Sequence, residues 1–537
     1  MDQDNLTQSQ KDYAVYLPAL SGFYGTFVGK QRTNNDYVDP ARFPQGLTNM
    51  EQMNWLNPND GLFPYKWSLY SGGHANLDLT KPDAGEDMIR NRDPNSIILG
   101  DSGGFQIAKG LWEADWKANS GCPKAQAKRE QVLKWLDGIS TYGMVLDIPT
   151  WIVNFPDAAK KAGIRDHKDA VEATKFNNEY FIANRKGVAE GGAKFLNVLQ
   201  GANHGEAEDW YQTMKGYCDP TKYPGRNFNG WGMGGQHTSD MELILKRFIN
   251  LKYDGLLQQG QHDWIHFLGM SQLEWAVLFT VLQRALRKHV NPDVTISFDA
   301  ASPFLATANG QVYYTNVYED GGKWSYRMGP SADDKKYATD NRKWGDAVVQ
   351  DGIYDTWTDS PISSMLKMSD ICVYKPGVPK PGVVLTEENF KDPELYDVLP
   401  DLNKIGKWGK TSWDSFSYMM LMGHNVWMHL TAVQEANRRF DAGERPGMMT
   451  YARSVDREKF EDLVEQIFSA PTREESLQII KDYTEYWKEI VGGRGYRGKK
   501  SLNSTTNFNL LFTVEHPTTE VEDLDEDKLD ELEGSQE

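Results

Sequence analysis

Cysteine is nearly missing from this chain. Its three residues, Cys122, Cys218 and Cys372, stand far apart among 537. They supply neither a disulfide framework nor a cysteine-rich metal cluster. No run of about 18 apolar residues occurs, so no segment is expected to span a membrane. The stretch from Met1 to Asn5 lacks the basic and apolar regions of a signal peptide. A soluble, cytoplasmic protein is the expectation. Low-complexity composition is missing as well: aromatics reach 12%, with 17 Trp, more than a disordered chain carries. Hydrophobic residues at 39% and charged residues at 25% are ordinary for a globular protein. The length leaves room for two or three units of about 100–200 residues each.

Basic charge is in deficit, 58 Lys and Arg against 76 Asp and Glu, for a net charge of -18. That argues at first against a polyanionic partner. The distribution weakens the argument, because ten acidic residues and one Lys fall between Thr518 and Glu537. Such a block reads as a solvated tail, or as a phosphate mimic that competes for a basic groove. Just before it comes a basic, glycine-rich stretch, Arg494-Gly495-Tyr496-Arg497-Gly498-Lys499-Lys500. Net charge therefore does not decide the partner.

What recurs along the chain is a short apolar run, a polar or glycine-rich corner, and then a helical stretch. The runs are Ile97-Ile98-Leu99, Met144-Val145-Leu146, Phe195 to Leu199, Ile265 to Leu268 and Val294 to Phe298. They are short and continuous, as strands buried on both faces should be. Ser239-x-x-Glu242 and Ser271-x-x-Glu274 read as capping boxes, the second opening a helix to about Lys288. Strand and helix in alternation predict a parallel α/β fold. After the runs stand Gly100-Asp101, Asp147, Gln200-Gly201, Gly269 and Asp299. In a (β/α)8 barrel, polar residues at equivalent strand ends converge on one site. A single Asp after a strand is usually a cap or turn residue; the repeated coincidence is what points to a site. Between Leu305 and Asp414 the alternation dissolves, except for a hairpin pattern around Asp320-Gly321-Gly322. Helical sequence resumes near Ser412, and Pro446-Gly447 interrupts it.

At Asp101-Ser102-Gly103-Gly104-Phe105-Gln106 the sequence resembles the tRNA-guanine transglycosylase superfamily. Further matches follow in that family's order: Leu146-Asp147, Val198-Leu199-Gln200-Gly201, Gly230-Trp231-Gly232-Met233-Gly234, His266-Phe267-Leu268-Gly269, and Phe298-Asp299 before Pro303. Asn309 to Tyr313 resembles the family's hairpin, and Gly423-His424-Asn425 its late His-Asn helix. The resemblance covers roughly Tyr13 to Met448. It implies an irregular (β/α)8 TIM barrel with large insertions, a C-terminal helical appendage and an acidic tail. The expected units are 1–304 and 415–448 for the catalytic domain, 305–414 for an insertion, 449–515 for a helical region and 516–537 for the tail.

The resemblance also implies roles. Asp299 would be the nucleophile that holds C1′ of the sugar while bases are exchanged, and Asp101 the group that manages protons. Phe105 and Leu268 would cover the two faces of the base. Asp147 would accept from its N1–H and 2-amino group, Gln200, with Gly201 beside it, and the backbone of Gly230 would donate to O6, and Ser102 would reach N3 or the opposite edge. The family's Cys-x-Cys-x2-Cys plus His zinc site has only His424 here. No cofactor is therefore expected, and a metal held by His262, His266 or His424 is the less favoured option. Trp231 and Gly235 stand where the family has Leu and Glu, on the wall expected to face the 7-substituent. The missing cysteines, the insertions and this altered wall resemble the DNA-modifying, DpdA-like branch found in bacteria and phages. The expected partners are then DNA and a free 7-deazaguanine base, 7-cyano-7-deazaguanine (preQ0) first, and for a phage protein the location is the host cytoplasm. The alternatives are a divergent enzyme acting on tRNA and a non-catalytic barrel subunit that binds nucleic acid. Lys404-Ile405-Gly406-Lys407-Trp408-Gly409-Lys410 offers cations and a ring for such a polymer.

Overall fold

The computed structural model of the chain describes residues 12–33, 37–38, 42–373, 380–384, 386, 395, 413–490 and 512–514. The acidic block, the stretch from Arg494 to Lys500 and the stretch from Lys404 to Lys410 lie outside the described residues. Eight strands form one sheet: β1 Val15–Pro18, β2 Trp67–Ser71, β3 Ile97–Asp101, β4 Tyr142–Met144, β5 Lys194–Leu199, β6 Gly230–Met233, β7 Trp264–Phe267 and β8 Thr295–Ala300. They pair in parallel in the order β1-β8-β7-β6-β5-β4-β3-β2. Leu20 N–H donates to Leu69 O at 2.9 Å, beside an Ala19–Leu69 bridge. That contact brings the first strand against the second and nearly closes a barrel.

Each strand alternates faces with period two. On β8, Ser297 and Asp299 point inward while Phe298 meets the Phe279 ring of the helix layer at 5.5 Å. On β3, Asp101 faces in, and the outward Gly100 lets Ser140 and Leu136 approach the sheet. The inward set thus ends in polar side chains at the C-terminal rim. β1, β2 and β6 escaped the sequence pattern. β2 carries two serines and β6 reads Gly-Trp-Gly-Met, so neither is a β-branched apolar run. The Met144-Val145-Leu146 run straddles the end of β4 and leads directly to Asp147.

Helices cover the outside: α1 Gly22–Thr33, α2 Gly104–Ala108, α3 Pro123–Ile139, α4 Pro156–Ala162, α5 His167–Asn184, α6 His204–Met214, α7 Met241–Tyr253 and α8 Leu273–His289. Both expected capping boxes are corrected. Asp240, not Ser239, caps α7, accepting from Leu243 N–H. Gln272 precedes α8 without a side-chain cap. Glu274 instead accepts from Trp324 N–H at 3.1 Å, and burial raises its carboxyl to about 7.

After β8 come α9 Ser302–Ala308, a hairpin of β9 Gln311–Asp320 and β10 Lys323–Pro330, and the long helix α10 Ser415–Asp441. Gly321 and Gly322 have φ of 56° and 83°, the left-handed pair that a two-residue hairpin turn demands. The segment from 305 to 373 is more ordered than its composition suggested, with helices at Trp344–Gln350 and Met368–Ile371. Two further helices, α11 Phe460–Ser469 and α12 Arg473–Asp482, pack on the barrel's outer layer. Lys252 Nζ donates to Phe468 O at 2.8 Å there, and Lys288 pairs with Glu465 at 2.6 Å. Among the described residues no helix is long and apolar enough to cross a membrane.

Candidate active site

Asp299 sits near the top of β8 with one oxygen fully engaged. Its Oδ1 accepts from Gly269 N–H at 2.8 Å and from His266 Nε2 at 3.1 Å. Oδ2 takes no hydrogen bond from the described residues, and the side chain keeps 15% of its surface exposed. Behind it runs a buried chain. Trp264 Nε1–H donates to Ser297 Oγ at 2.8 Å, and Ser297 Oγ lies 2.8 Å from His266 Nδ1. An indole N–H can only donate, which leaves the serine hydroxyl hydrogen for Nδ1. In the neutral imidazole the proton then sits on Nε2, aimed at the carboxylate.

Asp101 closes β3. Its Oδ2 accepts from Ser71 Oγ at 2.7 Å, and Oδ1 lies 3.4 Å from Gly103 N. Burial pushes its carboxyl up, and the charge of Asp299 adds to the rise, against the hydrogen bonds from Ser71 and Gly103. The turn that follows needs both glycines. Gly103 has φ of 81°, and a Cβ there would meet the Trp112 ring at 2.5 Å. A Cβ at Gly104 would stand 2.6 Å from Asp147 O. The Asp-Ser-Gly-Gly string thus packs the β3 and β4 loops together. Ser102 Oγ is 3.1 Å from Val145 O, so its hydroxyl fastens the same two loops. That bond uses the hydroxyl hydrogen and leaves the oxygen able to accept.

Asp147, just past β4, is buried and accepts from Gln200 Nε2 at 2.8 Å. Burial raises its carboxyl to about 7, with the charge of Asp101 adding and the Gln200 bond opposing. Gln200 Oε1 is buried without a partner among the described residues. Gly201 lets the β5 loop close on α6, since a Cβ there would be 2.4 Å from Ala207 N. Phe105 is half-buried on α2, 5.7 Å from the Trp151 ring. Leu268 is half-buried after β7, its side chain reaching the inner face of β6 at Gly232.

Two expected residues lie elsewhere. Gly230 opens β6 at the N-terminal end of the barrel, paired with Trp264, a strand's length from the rim. Trp231 points outward, its Nε1–H donating to Leu256 O at 2.9 Å. It therefore forms no wall of a base pocket. At the rim the strand ends in Gly234-Gly235, where a Cβ on Gly234 would stand 2.7 Å from Gln200 Nε2.

The histidines have structural partners. His262 lies in the turn before β7, with Nε2 2.7 Å from Cys218 O and Nδ1 3.1 Å from Gln258 N. His424 has Nδ1 at 2.8 Å from Ser360 Oγ and Nε2 at 2.8 Å from Tyr313 O. Burial lowers its pKa to about 4. No group of three or more His, Cys, Asp or Glu side chains is placed to hold a metal among the described residues.

Sequence reasoning missed Ser71, because β2 went unrecognised, and Ser297, which stands one inward position before Asp299. The period-two spacing of Ser297 and Asp299 was the signal that could have found it. The arrangement offers a carboxylate oxygen open for attack, a second carboxyl with a raised affinity for protons, and a buried acceptor set at Asp147 and Gln200. These are the parts that nucleophilic substitution beside a polar planar group requires. No family model matches the chain, and a search of curated proteins finds no match. What the residues and their pairing establish is an α/β fold of eight parallel strands in a nearly closed, TIM-like barrel, with polar groups gathered at its C-terminal rim.

Proposed function

We propose that this protein is a base-exchange transglycosylase, replacing guanine in DNA with a 7-deazaguanine base through a covalent glycosyl–Asp299 intermediate. One observation carries the reading: Asp299 presents a free Oδ2 at the same rim where Asp101 has a raised proton affinity and feels the Asp299 charge. In the first step Oδ2 attacks C1′ and the bond from C1′ to N9 of guanine breaks. Asp101 supplies the proton that the departing guanine needs. The incoming base then gives up its N9 proton to Asp101, attacks C1′, and releases Asp299. Oδ1 stays bound to Gly269 and His266 throughout, which holds the carboxylate in line.

Ionised Asp147 accepts from N1–H and the 2-amino group, and the second hydrogen of Gln200 Nε2 is left for O6. DNA as the polymer, and preQ0 as the first candidate base, rest on the resemblance of the motifs. Trp231 contributes nothing to that choice, since it faces away from the barrel axis.

The test supplies labelled guanine, preQ0 and the aminomethyl base in turn, with DNA or tRNA, and identifies nucleosides by mass spectrometry. Modified nucleoside in DNA, lost in Asp299→Ala, is the expected result. Label in tRNA alone would move the reading to a tRNA enzyme. Binding of polymer without exchange would favour a non-catalytic subunit.

A further inference from the structure

The loops after β3 and β4 leave the barrel side by side, and their aromatic rings run outward from the proposed base site. The Phe105 and Trp151 centroids are 5.7 Å apart, and those of Trp151 and Phe155 are 5.5 Å apart. Burial falls along the series, from half-buried Phe105 and Trp151 to Phe155 at 47% exposed. Lys109 Nζ stands 5.3 Å from the Phe105 centroid and 6.0 Å from that of Phe155. Leu111 and Val153, on the same two loops, are also exposed. Large apolar side chains left in water beside one another mark a surface that something covers.

Local charge says what that occupant is. Residues 102–128 hold four Lys against two acidic residues, and 148–161 hold two Lys against one, in a chain whose net charge is -18. Rings that expose π-faces between ammonium groups are what an unpaired polynucleotide strand needs, bases for stacking and phosphates for pairing. Stacked bases inside a duplex cannot reach such rings.

We propose that the Trp151–Phe155 ridge docks the single-stranded DNA that flanks the exchanged guanine. A neighbouring base stacks on Phe155, whose ring stands at 82° to that of Trp151 and is propped by its edge, while Lys109 faces the adjoining phosphate. The occupant rests on the base-exchange reading; the ridge adds strandedness to it. Because the loops that form the ridge also carry Asp101 and Asp147, a strand held there presents its next base directly at the barrel mouth.

The test measures binding of a fluorescein-labelled guanine-containing DNA oligonucleotide by anisotropy, as single strand, as duplex, and as the RNA of the same sequence. It uses the full chain and the variants Phe155→Ser and Trp151→Leu, whose folding is checked by thermal melting. The wild type should bind single-stranded DNA most tightly, and Phe155→Ser should weaken that binding by about 5–100-fold. Unchanged affinity in the folded Phe155→Ser variant, a preference for duplex or for RNA, or no binding at all would overturn the proposal. Ridge-dependent binding without base exchange in any polymer would leave the docking surface standing and remove the base-exchange reading. Base exchange in DNA whose KM ignores Phe155→Ser would do the reverse.

Discussion

Two buried polar regions of this molecule contrast sharply: the rim of the barrel and the joint between the hairpin and α10. At the joint the His424 and Asn425 side chains are fully paired, while the Tyr313 hydroxyl, Thr315 Oγ1 and His429 Nδ1 around them are neutral groups buried without a hydrogen-bond partner among the described residues. His424 spans Ser360 and Tyr313, while Asn425 Nδ2 reaches Pro303 O, Thr307 Oγ1 and Gln311 O and its Oδ1 accepts from Tyr313 N–H. At the rim, Asp101 and Asp147 are driven towards protonation by burial and by a neighbouring carboxylate, Asp299 for Asp101 and Asp101 for Asp147, and Gln200 Oε1 has no partner among the described residues. A closed set of hydrogen bonds specifies a structure. An open set of like charges is a cost retained by the fold, and a ligand with matching donors offsets it.

The largest expected effect breaks the rim. Asp299→Ala removes the attacking oxygen, and exchange should fall on the order of 10⁴–10⁶-fold. Melting temperature should hold or rise, because a charge that opposes ionisation of Asp101 has gone. Initial rates with labelled guanine, read beside a melting curve, check both. An Asp299→Ala protein that exchanges at near the normal rate removes Asp299 from the mechanism.

The joint should respond in the opposite sense. Asn425→Ala leaves Tyr313 N–H and the acceptors on α9 and β9 without partners in the core. Stability should drop by about 3 kcal/mol, while rate per folded molecule stays near normal. Urea titration together with active-site counting separates the two. A large loss of rate at unchanged stability would show that the joint takes part in the reaction after all.

The contrast also explains what the sequence could carry. The buried runs at Ile97, Phe195 and Val294 identify β3, β5 and β8, since strands covered on both faces must be continuously apolar. Asp101, Asp147, Gln200 and Asp299 were legible as strand-end residues and are brought together at the rim. β6 was not legible as a strand, because glycines on its inward face remove the apolar signal. The placement of Gly230 and Trp231 failed for the same reason: a glycine-rich string fixes neither where its strand starts nor which face its tryptophan takes. The bond from Ser102 to Val145 O was not legible, because a hydroxyl in a loop motif does not reveal that it ties its own loop to the next. The His266 chain needed three dimensions, since Trp264 and Ser297 meet only when β7 and β8 pair in register.

That chain yields a smaller effect. His266→Phe removes the donor to Asp299 Oδ1 and leaves Ser297 facing a hydrocarbon ring. A carboxylate held by Gly269 alone can swing, and kcat should fall about 10–100-fold with KM little changed. His266→Gln, which restores an N–H, should recover part of the loss. A purely structural role would instead lower the melting temperature and leave kcat per folded molecule unchanged in both variants.

The smallest effect is a pH dependence set by Asp147. Its carboxyl is raised to about 7 in the fold, above the ordinary carboxylate range of an unfolded chain. Between these values the folded state binds more protons than the unfolded one, so this residue makes stability fall as pH rises from about 4 towards 7. Base binding runs the other way. The N1–H and 2-amino donors of guanine need an ionised acceptor, so each unit of pH below 7 should weaken the base by about tenfold, levelling off above 7. Equilibrium binding of free guanine measured from pH 5.5 to 8.5 reads this slope directly, with proton uptake or release followed by calorimetry in two buffers. Binding below pH 7 should release close to one proton per base. Asp147→Asn should flatten both profiles and weaken the base at high pH, since an amide presents a donor where the base also donates. A slope that survives in Asp147→Asn would assign the titration to Asp101 and place the edge reader elsewhere on the rim.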